Sequence, residues 1–205
     1  RMVLAAAGAV DHQALVKAAE ALFGDMQPAD PPPLPPARFE GGESRTLKPL
    51  EQAHFALAFE SPDYAAPDVY AAQIYATALG GSMSSRLFQE IRERRGLCYT
   101  IFAQAGAYSD TGMMTVYAGT SADQMGQLAQ ITVDEMKRAA ENFSPAELER
   151  ARAQMKAGML MGLESSSNRA ERLARMLQIR GRVPDVEEVV ERIDAAGSYR
   201  RGRET

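Results

Sequence analysis

Apolar positions recur along this chain with two periods, and each change of period marks an element. Within residues 45–60, Ala53, Phe55, Leu57 and Phe59 fall on one face and His54, Ala56 and Ala58 on the other, the two-residue period of a strand. Residues 67–79 return to helical spacing. Then comes GGSMSSRLFQEIRERRGLCYTI, residues 80–101. Ser84 or Ser85 can cap a helix there, Leu87, Phe88 and Ile91 recur at helical spacing, and Gly96 supplies the left-handed residue that ends it. A strand is expected at once over 97–107 and another over 112–120. The YSDTG between them has the Asp, Ser and Gly of a hairpin loop, so the two strands should pair antiparallel.

The rest reads as helix. Met125, Leu128, Thr132, Met136 and Ala139 form one stripe. Ser144-Pro145-Ala146-Glu147 then places an N-cap Ser, an N1 proline and an N3 Glu in a capping box. Leu148, Ala151, Met155 and Met159 line the helix that follows, Asn168 with Glu171 opens another, and Asp185 with Glu188 a last one. Strands first and helices later imply an α+β fold, an antiparallel-rich sheet with helices packed on one face.

Upstream, residues 2–10, MVLAAAGAV, read as a buried strand, and Asp11 caps a helix carrying Leu15, Val16, Ala19, Leu22 and Phe23 before Gly24. One strand and one helix cannot bury both faces of themselves, so residues 1–27 are expected to be the last strand and helix of a preceding domain. Residues 28–43 contain PADPPPLPP, whose prolines remove backbone donors and favour an extended spacer. A ligand for an aromatic-groove domain is the competing reading of that stretch. The main domain is expected over 44–197, with 198–205 as a tail.

Composition narrows the function classes. At 205 residues, 45% apolar and 24% charged, the chain has the make-up of an ordinary globular protein. A net charge of −4 argues against nucleic acid as a partner and is compatible with basic peptides. No stretch approaches the roughly 20 apolar residues of a membrane span, and no targeting segment is read. The single cysteine, Cys98, permits neither an internal disulfide nor a cysteine-based zinc site, so a reducing compartment is allowed. The Ala and Arg bias suits a GC-rich bacterial genome, and a bacterial cytoplasm is the expected compartment, with periplasm and mitochondrial matrix left open.

Candidate chemistry centres on 80–101. Gly80-Gly81 is no phosphate loop, because the GxxxxGK[ST] lysine is missing; it reads as a break between two helices. His12 and His54, the only histidines, lie on separate elements without partners at zinc-ligand spacing. Cys98 reads as a small buried hydrophobe, and the methionines at 113, 114, 125, 136, 155, 159 and 161 largely as packing. Arg92 near the helix exit and Tyr99 near the strand entry could meet at one sheet edge. Arg92 could equally be one more charge on a solvated face, Tyr99 a sheet aromatic and Phe88 core.

The order Phe88, Arg92, Tyr99 within GGSMSSRLFQEIRERRGLCY resembles the second-domain signature of the inverted-zincin metallopeptidases, the family of pitrilysin, insulysin and the mitochondrial processing peptidases. The resemblance continues through DTG (Asp110 to Gly112), ELERARAQMKAGML (147–160) and GRVPDVEEVVERIDA (181–195), covers most of 1–197, and is nearest the processing-peptidase branch and its bacterial relatives. It implies the C-terminal half of a zinc metalloendopeptidase acting on extended polypeptides or presequences. Arg92 and Tyr99 would bind substrate carbonyls and stabilise the oxyanion, with Phe88 beside the substrate. HxxEH is absent, so zinc and the general base would come from an N-terminal zinc-binding half or a partner subunit, in a homo- or heterodimer, and this chain alone would be inactive. The alternative within the resemblance is a non-catalytic binding or assembly subunit. Where the family pattern continues with a final helix and strand, this sequence ends in GSYRRGRET, expected to be a truncated, frayed or tag-like end.

Overall fold

A computed structural model describes residues 2–27, 32 and 34–196. In chain order it contains α1 (His12–Phe23), β1 (Ala53–Ser61), α2 (Val69–Gly80), a π-helical segment (Phe88–Glu93), β2 (Thr100–Ala107), β3 (Gly112–Thr120), α3 (Met125–Asn142), α4 (Pro145–Gly162), α5 (Ser166–Arg180) and α6 (Val186–Ala195). The chain divides into two compact units. The smaller comprises Ala157–Val186 with the described residues before Ala37, the larger Ala37–Lys156 with those from Glu187 onward. The tail at 198–205 and part of the proline-rich stretch lie outside the described residues.

The larger unit is built on a three-stranded sheet in the order β1-β3-β2 with both pairings antiparallel, as the α+β reading expects. Gly112 pairs with Ala107 across the hairpin and with Ser61 on the other side. A Cβ at Gly112 would stand 2.2 Å from the Pro62 carbonyl oxygen, so only glycine fits where β1 leaves the sheet. One face of the sheet carries Phe55 and Leu57 from β1, Ile101 and Ala103 from β2, and Met114, Val116 and Ala118 from β3. Leu79, Leu87, Ile91 and Leu128 close over it from α2, the π segment with the residue that precedes it, and α3. Burying each of these large aliphatic side chains contributes about 2 kcal/mol.

Helix α2 is apolar on more than one side because it faces two cores. Ala76 and Leu79 join the sheet cluster, while Ile74 and Ala78 meet Ala151 of α4 and Ile193 of α6. Its last residue, Gly80, sits where a Cβ would lie 2.5 Å from the Ala103 amide nitrogen, so α2 rests directly on the β2 backbone. This revises the role of the glycine pair: Gly80 permits close packing, and only Gly81 beyond it marks the break.

Ser144 Oγ accepts from the Glu147 amide at 3.3 Å and the Glu147 carboxylate accepts from the Ser144 amide at 2.9 Å, so the expected capping box forms. In the smaller unit Asp11 caps α1 through the Ala14 amide at 2.7 Å, again as expected. Elsewhere the boundaries differ. Residues 2–10 form no β-ladder, since a strand needs a paired neighbour and the described residues supply none. Helix α5 is capped by Ser165, whose hydroxyl accepts from the Asn168 amide, so it starts three residues before the Asn168 and Glu171 signal. Met113 and Met161 are exposed rather than packed.

The signature helix differs most. Its wall is π-helical over Phe88–Glu93, with the Arg94 amide donating to the Gln89 carbonyl five residues back at 3.0 Å. Neither candidate serine caps it through its side chain: Ser85 Oγ donates to the Ser82 carbonyl at 2.5 Å, and Ser84 Oγ pairs with Ser82 Oγ at 3.1 Å. Gly96 has φ +63°, the left-handed stop that the spacing predicts.

Candidate functional site

Four arginines lie between 86 and 95, and their partners separate them. Arg86 is bound to Glu147, and Arg94 and Arg95 both pair with Glu90. The Glu90 carboxyl is held below the usual carboxylate range, first by its hydrogen bond from Arg95. Arg92 has no carboxylate partner among the described residues; its guanidinium carbon instead lies 4.6 Å from the Phe88 ring centroid and 5.4 Å from that of Tyr99. Both distances are within cation–π range. Aromatic faces restrain a guanidinium without consuming its N–H donors, so Arg92 keeps its planar fork available.

Local backbone geometry sets the two rings on Arg92. Phe88 precedes it by four residues on the π segment and packs partly into the sheet core. Tyr99 reaches it through the turn at Gly96. Its amide donates to the Gly119 carbonyl at 3.2 Å, while Thr100 is also registered with Gly119. Two residues thus face one across the end of the ladder, the arrangement of a β-bulge. Alternation is broken as a result: Cys98 and Ile101 are both buried, and Tyr99 and Thr100 are both exposed, Tyr99 at 75%. The strand starts at Thr100 instead of 97 for the same reason.

Three of the sequence candidates, Phe88, Arg92 and Tyr99, therefore come together. Cys98 lies beneath them on the core side, and burial pushes its thiol up against the opposing pull of Arg92. No such convergence involves the histidines: no group of three His, Cys, Asp or Glu side chains suited to a metal is found among the described residues. The described residues do not fit a zinc centre. No helix of the described chain is long and apolar enough to cross a membrane.

One cluster escaped the sequence reading. On the sheet face away from the core, His54 Nδ1 lies 2.7 Å from the Tyr117 hydroxyl, and the Tyr117 ring stacks on Phe102 with centroids 5.2 Å apart. Its signal was available in the alternation, which puts Phe102 and Tyr117 on the side opposite Ile101 and Val116. Their cross-strand pairing needed the register.

Comparison with known proteins places the chain in a family. Residues 1–155 match the family described as the Peptidase M16 inactive domain. An uncharacterized zinc protease of Rickettsia bellii is 38% identical over 189 residues, covering 92% of this chain and 46% of that protein. An uncharacterized zinc protease of Bacillus subtilis is 31% identical over 204 residues, covering 98% of this chain and 49% of that one. The chain thus spans about half the length of these relatives. Among solved structures, a chain of complex III from Candida albicans superposes with a TM-score of 0.78 at 26% identity, covering 91% of this chain and 47% of that one. A peptidase M16 inactive domain from Pseudomonas fluorescens shares the fold with a TM-score of 0.61 at 22% identity, covering 73% and 35% respectively. This chain belongs to the peptidase M16 inactive-domain family.

Proposed function

We propose that this chain is the substrate-binding C-terminal half of a zinc metalloendopeptidase, supplying Arg92 and Tyr99 to a reaction whose zinc and general base reside in an N-terminal half or partner subunit. The observation that carries this is the isolation of Arg92: its neighbours' charges are spent on Glu90 and Glu147, while its own is held between two rings with its donors open. When a peptide carbonyl becomes tetrahedral, its oxygen gains negative charge, and donors already aimed at that position lower the barrier. Arg92 offers a fixed positive fork and Tyr99 a neutral hydroxyl. Removing one such donor costs on the order of 3 kcal/mol in the barrier.

The substrate in this reading is an extended polypeptide. Strand β2 lies at an edge of the sheet and begins one residue after Tyr99, so a peptide added along that edge would bring its carbonyls past the pair. Residues 1–27 would close a preceding peptidase domain, with 28–43 as linker and 44–197 as the domain proper.

A second reading, a non-catalytic binding or assembly subunit, has support in the likeness to a complex III chain. Reconstitution separates the two: a fluorogenic peptide with zinc, assayed with this chain, with the zinc-bearing half, and with both. Activity only in the mixture, lost with Arg92→Ala, supports the enzyme half. A zinc-bearing half fully active alone, or an associated but inactive mixture, supports the scaffold.

A further inference from the structure

We infer that Phe88 is a positioning residue, an aromatic platform that holds the Arg92 guanidinium in place rather than a surface that touches substrate. This rests on the reading of Arg92 as the donor to the reacting carbonyl. A charged side chain that must meet a developing oxyanion has to be held close to one geometry, yet an arginine carries about 2 kcal/mol of rotamer entropy. An ion pair is the usual restraint, and every other arginine of this segment has one. For Arg92 a carboxylate would restrain the fork but also occupy its donors and cancel its charge. A ring restrains the guanidinium by its face and leaves the N–H edges free.

The two rings beside Arg92 are not equivalent. Phe88 is partly buried, packs on the main core and stands closer, with its centroid 4.6 Å from the guanidinium carbon. Tyr99 is 75% exposed and 5.4 Å away. Phe88 is the fixed side of the clamp, and Tyr99, whose hydroxyl has its own donor role, is the movable one. The π turn carries both Phe88 and Arg92, so platform and cation belong to one rigid piece of backbone whose Leu87 and Ile91 are fully buried. The core therefore extends its order to a half-exposed cation through a single ring.

The test is a double-mutant cycle in the full-length protein carrying both halves, with Phe88→Leu, Phe88→Tyr, Arg92→Ala and Phe88→Leu with Arg92→Ala. Phe88→Leu keeps an apolar side chain but removes the ring face; kcat should fall roughly tenfold, the rate equivalent of one half-exposed cation–π contact, with KM unchanged. Phe88→Tyr should restore it. In the Arg92→Ala background, Phe88→Leu should cost nothing further, because its effect runs through Arg92. An additive loss there, or a KM that varies with the peptide's side chains at constant kcat, would mean that Phe88 touches substrate and overturn the inference. Independently of turnover, the Arg92 Nε–H order parameter by NMR should match the rigid backbone in the parent protein and in Phe88→Tyr, and drop in Phe88→Leu. An unchanged order parameter in Phe88→Leu also overturns it. A harmless Arg92→Ala instead defeats the catalytic reading, which the order parameter then distinguishes from a failure of the clamp.

Discussion

Arg86 and Glu147 hold each other by two N–H···O bonds, Nε to Oε1 at 2.5 Å and Nη2 to Oε2 at 2.8 Å. The pair ties the chain entering the π segment to the first turn of α4. Arg86 also donates to the Asn142 side chain and backbone carbonyl and lies over the Phe143 ring at 4.6 Å, so one guanidinium gathers the end of α3 and the start of α4.

Glu147 should make stability depend on acid. Its carboxyl is drawn from 4.5 down to about 2, first by the hydrogen bond from Arg86 and further by Ser144. A carboxyl lowered on folding contributes stability that is complete above its unfolded pKa and lost as pH falls through the folded one. Glu147→Gln should therefore destabilise by about 2 to 3 kcal/mol at pH 7. That difference should shrink from pH 5 toward pH 2, read as the gap between the two proteins' urea midpoints. A gap that stays constant across this window would remove the ionised pair as its source.

Two glycines of the signature should respond to alanine for different reasons. At Gly80 a Cβ would stand 2.5 Å from the Ala103 nitrogen and 2.7 Å from the Ala103 Cβ, backbone and short side chain that cannot swing away. Separating α2 from β2 should cost about 2 to 3 kcal/mol or more. At Gly96 nothing lies within 4 Å, and only the left-handed φ of +63° resists, which costs about 1 kcal/mol. Equilibrium unfolding should rank Gly80→Ala well below Gly96→Ala in stability; the reverse order would deny the close approach of helix and strand.

The contrast between those glycines shows what was legible in the residues. Gly96 could be recognised because it follows a helical stripe and precedes β-branched and aromatic residues, a local signal. Gly80 depends on which strand lies against it, and nothing within a few residues reports that. The hairpin and the capping box at Ser144 were readable because each is set by short-range spacing, whereas spacing allowed only that Arg92 and Tyr99 could meet, and their grouping with Phe88 came from the family resemblance. Whether Arg92 was a spare surface charge was not readable. That depended on Glu147 being drawn to Arg86 from 61 positions away, and on Glu90 taking two arginines at once. The bulge at Tyr99 was likewise hidden, because alternation alone predicts a regular strand and only the Gly119 register reveals two residues facing one.

Thr120 should hold the entry to β2. Its buried hydroxyl donates to the Leu97 carbonyl at 2.5 Å, two residues before Tyr99. Thr120→Val keeps the shape and leaves that carbonyl without its partner, at a cost of about 1 to 2 kcal/mol. Because Tyr99 hangs on the adjacent Gly119 carbonyl, its amide should exchange with solvent faster in the variant, while amides in the middle of β3 keep their protection relative to global stability. Uniform loss of protection would show that Thr120 supports the whole domain and not this entry.

Cys98 provides a chemical probe of the same site. A thiol reacts as the thiolate, and burial both hides the sulfur and pushes its proton affinity up, so labelling of the native protein should be slow and should reach the free-thiol rate only in denaturant. The guanidinium of Arg92 pulls the other way and favours the thiolate. Arg92→Ala deletes that attraction and should raise the thiol further, slowing native-state labelling at neutral pH although a larger side chain has been cut away. Faster labelling would mean instead that Arg92 shields Cys98 sterically, with the aromatic clamp acting as a lid over the sulfur. Comparing rates at neutral and strongly alkaline pH separates the two effects, since an electrostatic change vanishes once the thiol is fully ionised and a steric one persists.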